Sequence, residues 1–208
     1  MARIFAKGFA NSRQFLQFVA KTLLMLRTLL ETDARLSAQM RVVEKPGSLR
    51  NLAIFFAHSG DSWFWGMGLG VVWLVGDAAW KVLAVKLVVA IGITAVIAQT
   101  LKWLIRRRRP EGEWGAIYRM TDPHSFPSGH AARMAMLVVL ALALGPVWFG
   151  VLLILWAPLV ALARVAMGVH YLSDIVGGAV LGVVIGLLLV LLVPLDYACV
   201  VLPWLCGA

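Results

Sequence analysis

The sequence predicts an all-α protein, a polytopic bundle of transmembrane helices, and three observations support this. Of the 208 residues, 62% are apolar, against roughly 45–50% in soluble domains. Charged residues make up 14%, against about 25% in soluble chains. The apolar residues also form runs close to the ~20 residues that a helix needs to cross a bilayer. A globule of this length could not bury them all, and this much apolar surface excludes intrinsic disorder.

The sequence divides into a basic segment, residues 1–50, and a membrane domain, residues 51–208. In the first, one helical face carries the apolar side chains Phe15, Leu16, Val19, Leu23, Leu26 and Leu30. The opposite face is polar, which predicts an amphipathic helix at the membrane surface. A sixth transmembrane span is the alternative, and Lys21 and Arg27 within it would make that span costly.

Five apolar segments are expected to cross the membrane. They run approximately over 62–79, 82–101, 129–145, 146–163 and 175–195. The dipeptide Gly145-Pro146 separates the third from the fourth, since this pair interrupts helices. In the fifth segment, Gly178, Gly182 and Gly186 recur at every fourth residue. This spacing predicts that their face packs closely against a neighbouring helix.

Basic residues are distributed unequally between the two sides of such a bundle. With five alternating spans, the N-terminal segment and the loops 102–128 and 164–174 share one side. That side carries nine Lys and Arg from the first fifty residues and eight more, whereas Lys81 lies opposite. Cytoplasmic loops are enriched in Lys and Arg, which places the shared side in the cytoplasm, with a bacterial inner membrane as the default. The formal net charge of +9 raises nucleic acid as a partner, but we expect none, because the cations follow a membrane boundary.

Three polar clusters lie on this shared side, and ionisable residues at membrane depth are functional candidates by default. The first comprises Lys102 and the run Arg106–Arg109 before Pro110. If the second span continues through it, Lys102, Arg106 and Arg109 lie on one helical face. Three cations on one face would bind a polyanion such as phosphate. The alternative is a charge run that only sets the membrane topology.

The second cluster leads into the third span. Ser128 is a suitable N-cap and Gly129 permits close approach to the backbone. Free N–H groups and the helix dipole make such an end an anion site. His130 would lie in the first turn, facing the anion, and the alternative is a capped helix with a solvated histidine.

The third cluster is Arg164, His170 and Asp174. The last two are four residues apart and share a face if that segment is helical. The carboxylate could then fix the imidazole tautomer through Nδ1 and leave Nε2 free to attack. The alternative is a structural His–Asp pair at the start of a span.

Together the clusters predict phosphoryl transfer through a covalent histidine intermediate. Cations would neutralise the phosphate oxygens, one imidazole would attack, and another would protonate the leaving oxygen. No carboxylate cluster suited to Mg²⁺ accompanies them, so we expect neither a metal nor another cofactor. The two cysteines, Cys199 and Cys206, predict neither a disulfide framework nor a metal site.

These residues resemble the three signatures of the type 2 phosphatidic acid phosphatase superfamily. The matching positions are Lys102 to Arg109-Pro110 for the first signature, Pro127-Ser128-Gly129-His130 for the second, and Arg164, His170 and Asp174 for the third. The resemblance covers roughly residues 50–195. One position departs from it: Ala163 stands where the family usually has Ser, which removes a hydroxyl donor to phosphate.

The resemblance implies an all-helical membrane enzyme, usually of six spans, that hydrolyses a lipid phosphate or diphosphate without a metal. His170 would be the nucleophile, Asp174 would orient it, and His130 would act as general acid and then activate water. The residues implied to hold the phosphate are Lys102, Arg109, Ser128, Gly129 and Arg164. Four stretches look similar to the branch acting on polyisoprenoid diphosphates such as presqualene diphosphate. They are Arg106–Pro110, Ser125–Ala131, Ser48-Leu49-Arg50 before Ser59-Gly60, and Asp196-Tyr197.

Two other functions use the same clusters. Vanadate-dependent haloperoxidases share the signatures, although those enzymes are soluble and this chain is rich in apolar spans. A lipid-headgroup binder or transporter would use the basic face without hydrolysis, and the intact His130, His170 and Asp174 count against it.

One further stretch precedes the first span. His58-Ser59-Gly60-Asp61 resembles a Ser-Gly-Asp stretch found in many members of the superfamily. A role at the lipid headgroup is one interpretation, and a capped start of the span is the one we prefer.

Overall fold

The computed structural model describes residues 2–42, 44 and 46–192, and within them the regular elements are eight helices. These are α1 (Ala2–Gln39), α2 (Ser48–Ser59), α3 (Ser62–Val75), α4 (Ala78–Ile105), α5 (Glu113–Thr121), α6 (Gly129–Leu144), α7 (Val147–Ala166) and α8 (Leu172–Leu192). The predicted all-α class is confirmed. Asp196-Tyr197, Cys199, Cys206 and the last residues of the fifth predicted span lie outside the described part of the chain.

The chain separates into two compact units, Met1–Leu36 and Ser37–Ala208. The first consists of the greater part of α1, so the predicted N-terminal helix is confirmed. Its large apolar side chains, including Phe15, Leu23 and Leu30, are exposed. Exposed apolar side chains of this kind are typical of a helix that contacts lipid, and the membrane-surface position stays a prediction.

The five predicted spans are all helices, of two lengths. By length and composition, α4, α7 and α8 can each cross a membrane. The other two, α3 and α6, are apolar but have only 14 and 16 residues. At a rise of 1.5 Å per residue they extend about 21 and 24 Å, against the ~30 Å of a hydrocarbon core.

Helix α6 packs against α4, α7 and α8, and its contact with α8 is the most extensive. The glycines of α8 face α6, as predicted. A Cβ built on Gly182 would lie 2.0 Å from the carbonyl oxygen of Ala132, and one on Gly178 would lie 2.4 Å from that of Ser128. The two backbones therefore touch, which fixes the first turn of α6 against the first turns of α8.

Helix α4 ends at Ile105, so the expected single helical face of Lys102, Arg106 and Arg109 is wrong. Arg106 adopts a left-handed conformation, with φ 55°, and its N–H closes the helix on the Lys102 carbonyl oxygen at 2.9 Å. Pro110 disfavours a helical conformation in Arg109, and the helix ends four residues before Arg109, at Ile105. Arg106 stays exposed, whereas the loop carries Arg109 back into the protein.

Candidate active site

A cavity of about 220 Å³ lies where the C-terminal ends of α4 and α7 meet the N-terminal end of α6. Six of the sequence-predicted site residues line it: Lys102, Arg109, Gly129, His130, Arg164 and His170. The other two, Ser128 and Asp174, are fully buried behind its wall. Residues from three separate signatures thus meet around one space large enough for a phosphate group.

Arg109 contacts His170 at the wall of this cavity. Its Nη1 lies 3.2 Å from Nε2 of the imidazole and donates to the Val169 carbonyl oxygen at 2.9 Å. A guanidinium only donates hydrogen bonds, so Nε2 is the acceptor and carries a lone pair. Burial, and then repulsion from Arg109, Arg164 and Lys102, lowers the pKa of His170 well below its ordinary value. His170 is therefore a neutral imidazole with an unprotonated Nε2.

Asp174 lies beside the other ring nitrogen of His170. Its Oδ2 is 3.4 Å from Nδ1, longer than a hydrogen bond of normal geometry. Helix α8 begins only at Leu172, so His170 precedes it and the expected shared helical face does not form. Instead, the Tyr171 N–H donates to the same Oδ2 at 2.8 Å and fixes the carboxylate next to the ring.

Arg107 holds the second oxygen of that carboxylate. Its Nη1 donates to Asp174 Oδ1 at 2.7 Å and to Ser173 Oγ at 2.6 Å, and its guanidinium stacks 4.1 Å from the centre of the Tyr171 ring. In the sequence, Arg107 stands out only as part of a charge run. The loop after α4 brings Arg107 to Asp174, and the sequence has no periodic pattern that predicts the path of this loop.

Asp122 joins two of the cations expected to bind phosphate. Its Oδ2 accepts hydrogen bonds from Lys102 Nζ and from Arg109 Nη2, the latter at 2.7 Å. Arg109 Nε also donates to the Asp122 carbonyl oxygen at 2.6 Å. Burial lowers the pKa of Arg109, and the charge of Asp122 opposes this effect. Asp122 was not predicted from the sequence. Its carboxylate gives Lys102 and Arg109 a negatively charged partner, as a phosphate would.

Ser128 caps α6, as predicted: its side chain accepts the Ala131 N–H at 3.4 Å. Its own N–H donates to the Asp174 carbonyl oxygen at 3.0 Å, so this residue ties α6 to α8 instead of lining the cavity. Gly129 does line it, and a Cβ built there would meet no atom within 4 Å. The first turn of α6 thus opens into the cavity, an arrangement that suits an anion.

His130 pairs with a carboxylate from outside the three signatures. Its Nε2 lies 2.7 Å from Asp61 Oδ1, and Asp61 Oδ2 lies 3.0 Å from His58 Nδ1. The preferred interpretation of a capped helix start is wrong: Asp61 occupies the N-cap position of α3 but its side chain makes no capping bond. Burial raises the pKa of Asp61, but hydrogen bonds with His130 and His58 outweigh it and bring the pKa below its usual range.

Arg164 is buried and lies against an aromatic ring that also borders the cavity. Its Nη1 donates to the Tyr118 hydroxyl at 3.2 Å, with the guanidinium 4.7 Å from the ring centre. The neighbouring Ala163, which departs from the family pattern, packs in an apolar cluster with Ala57 and Val169. Tyr118 was not predicted either, since it belongs to the short helix α5.

Positive charge predominates in the lining of the cavity. It contains the cations Lys102, Arg109, Arg133 and Arg164 and one carboxylate, Asp122. Within the described part of the chain, no group of three or more His, Cys, Asp or Glu side chains is placed to hold a metal ion. Guanidinium and ammonium groups match the oxygens of phosphate, so this donor set suits an anion.

Comparison with known proteins points to one family. The PAP2 superfamily matches residues 83–197. An undecaprenyl-diphosphatase of Sulfolobus acidocaldarius is 30% identical over 65% of this chain, which spans 66% of that protein, just under two thirds. A decaprenylphosphoryl-5-phosphoribose phosphatase of Mycobacterium tuberculosis is 32% identical over 75% of this chain and 86% of its own length. The crystal structure of a PAP2 type phosphatidylglycerolphosphate phosphatase from Bacillus subtilis shares the fold, with a TM-score of 0.58 at 23% identity over 77% of this chain and 84% of that one.

Proposed function

Because this chain belongs to the PAP2 superfamily, we propose that it is an integral membrane phosphatase that hydrolyses a lipid phosphate or diphosphate through a phosphohistidine on His170. The observation that carries the proposal is the position of His170 Nε2, 3.2 Å from Arg109 Nη1, in a cavity lined by cations and by His130. A nucleophile, phosphate-binding charges and a proton donor are the groups that this reaction needs.

In the first step, Nε2 of His170 attacks phosphorus and the bond to the leaving oxygen breaks. Lys102, Arg109 and Arg164 neutralise the non-bridging oxygens, with Gly129 at the open turn of α6. His130 gives its proton to the leaving oxygen. Asp174, 3.4 Å from Nδ1, stabilises the positive charge that the His170 ring gains as the N–P bond forms.

In the second step, water attacks the phosphohistidine. His130, now neutral, takes a proton from that water, and the N–P bond breaks with its electron pair returning to Nε2 of His170. Inorganic phosphate leaves, and both histidines are back in their starting states. The two steps use His130 in opposite directions, as acid and then as base.

We propose a polyisoprenoid diphosphate or a phosphatidate-type lipid as the substrate. Two of the relatives are named for phosphatases of polyprenyl-linked phosphates, which favours the first class. We further propose that the site opens to the cytoplasm at a bacterial inner membrane. In support, Arg106, Arg107 and Arg108 lie outside the cavity lining but at the same end of α4, whereas Lys81 lies at the other end.

Phosphate release by the purified protein in detergent micelles tests this proposal. The panel contains phosphatidate, phosphatidylglycerophosphate and an undecaprenyl diphosphate, each with a chelator present. We expect phosphate release from at least one lipid in the presence of chelator. His170→Ala should reduce it to background, because the covalent step has no nucleophile. Arg106→Ala is the matched control and should stay within about twofold of the parent protein, since Arg106 is exposed and absent from the lining.

Three results would contradict the proposal. Phosphate release by His170→Ala at the rate of the parent protein excludes the phosphohistidine mechanism. Tight lipid binding without phosphate release from any lipid identifies a headgroup binder or transporter. Halide oxidation with added vanadate, and no hydrolysis, identifies haloperoxidase chemistry on the same residues.

A further inference from the structure

The turn between α2 and α3 is fixed to the site by three consecutive residues. The Trp156 Nε1–H donates to Ser59 Oγ at 3.0 Å, and Arg133 donates to the Gly60 carbonyl oxygen. Asp61 then reaches His130 Nε2 at 2.7 Å. Each of the three residues is therefore hydrogen-bonded to α6 or α7, which fixes this stretch next to His130.

Gly60 shows how closely this stretch approaches the histidine. A Cβ built on Gly60 would lie 3.0 Å from Cδ2 of His130 and 2.4 Å from Cγ1 of Val160. No larger residue fits without moving the imidazole or the α7 side chain. The close approach is what brings the Asp61 carboxylate within hydrogen-bond distance of the ring.

From this geometry we propose that Asp61 is a positioning residue for the general acid. Its carboxylate keeps a proton on Nε2 of His130, which leaves Nδ1 as the nitrogen that exchanges a proton with the substrate. The inference rests on the proposed phosphatase function and adds a residue outside the three signatures. It follows the chemistry of a carboxylate that fixes an imidazole tautomer and stabilises the ring when it is doubly protonated.

The surrounding charges explain why such a carboxylate is needed. The cations Arg133 and Arg164 line the same cavity as His130, and Asp61 is the carboxylate that contacts the His130 ring. Asp61 is held in turn by His58 Nδ1 at 3.0 Å and by the Trp63 Nε1–H at 3.1 Å, both on Oδ2. Oδ1 of Asp61 therefore contacts His130, and the bonds to Oδ2 fix the orientation of the Asp61 carboxylate.

A pair of substrates separates this role from a merely structural one. An alkyl phosphate loses a strongly basic alkoxide and needs a proton from His130, whereas p-nitrophenyl phosphate loses a stable phenolate and needs none. Comparing kcat/KM confines the measurement to binding and phosphohistidine formation, before His130 acts as a base. We expect Asp61→Asn to lower kcat/KM for the alkyl phosphate by about 10²-fold, near the lower end of general-acid effects, and for p-nitrophenyl phosphate by less than about threefold.

The matched control is Asp77→Asn, the same substitution at the N-cap of α4, where Asn also caps well. It should leave both kcat/KM values unchanged. Equal losses with both substrates in Asp61→Asn, or no loss with either, overturn the inference while the phosphatase proposal stands. The phosphatase proposal is tested separately, because it predicts that His170→Ala loses activity toward both the alkyl phosphate and p-nitrophenyl phosphate.

A measurement on the parent protein covers the case in which Asp61→Asn fails to fold. With ¹⁵N-labelled histidines, and His130→Gln to assign the signals, neutral His130 should carry its proton on Nε2. A neutral ring protonated on Nδ1, with Nε2 bare, contradicts the role of Asp61.

Discussion

Lys102 and Arg109 keep only 6% and 3% of their surface exposed, and both donate to the same oxygen of Asp122. A buried cation without a partner is destabilising, so this carboxylate stabilises the site when no phosphate is bound. A phosphate in the cavity must compete with it for the same donors. We therefore expect Asp122 to stabilise the fold and to oppose anion binding.

Replacing Asp122 by Asn should separate these two effects. We expect Asp122→Asn to unfold at a lower temperature without ligand, because two buried cations lose their shared anion. We expect inorganic phosphate to inhibit it about tenfold more tightly, equivalent to about 1.4 kcal/mol. Thermal unfolding with and without phosphate, together with the inhibition constant, measures both quantities. Weaker phosphate inhibition would instead mean that Asp122 holds the cations in place for the substrate.

The sequence predicted the residues that line the cavity better than the acidic residues that contact them. Lys102, His130 and His170 lie within recognisable spacings, and all three line the cavity. Asp61 and Asp122 lie in short connecting segments without periodicity. Asp61 meets His130 across 69 residues and Asp122 meets Lys102 across 20, so only the packing of the helices brings each pair together.

At the scale of the helices, periodicity located each span, while local chemistry decided its ends. The third span was predicted over 129–145 and α6 covers Gly129–Leu144, bounded by the Ser128 cap and the Gly145-Pro146 break. The first span was predicted over 62–79, but α3 ends at Val75. The missed signal is Asp77, whose side chain accepts the Trp80 N–H at 3.0 Å and begins α4 there.

The contact between α6 and α8 yields a stability prediction. Gly182→Ala should lower the free energy of unfolding by about 1–3 kcal/mol, since its methyl group would overlap the Ala132 carbonyl oxygen of α6. Activity should fall as well, because this contact also places the first turn of α6 beside His170. Thermal unfolding and phosphate release measure the two effects.

Gly92→Ala provides the control for that substitution. Gly92 lies on the exposed face of α4, and a Cβ built there meets no atom within 4 Å. Alanine favours a helix over glycine, so this variant should unfold at the same temperature or higher. If both alanine variants behave alike, the backbone contact between α6 and α8 does not limit stability.

At the scale of the whole membrane unit, the polar residues gather at one end of the helices. The C-terminal ends of α4 and α7 and the N-terminal ends of α6 and α8 meet there, which joins three signatures that lie far apart in the sequence. The alternation of spans was enough to predict that the clusters share a side. Their distances from one another depend on the loops before α6 and α8, for which the sequence offers no periodic pattern.

Which side of the membrane this end faces is a prediction that single cysteines can test. In a variant without Cys199 and Cys206, Met120→Cys marks the end with the cavity and Val147→Cys marks the first residue of α7, at the opposite end. The parent side chains are 89% and 75% exposed. The excess of Lys and Arg at the cavity end predicts a cytoplasmic position. A membrane-impermeant maleimide should therefore label Met120→Cys only in inside-out vesicles and Val147→Cys only in right-side-out vesicles, with phosphate release retained in both. The reverse pattern would place the site on the outer face, and labelling of both cysteines from one side would contradict the membrane-spanning arrangement of α6.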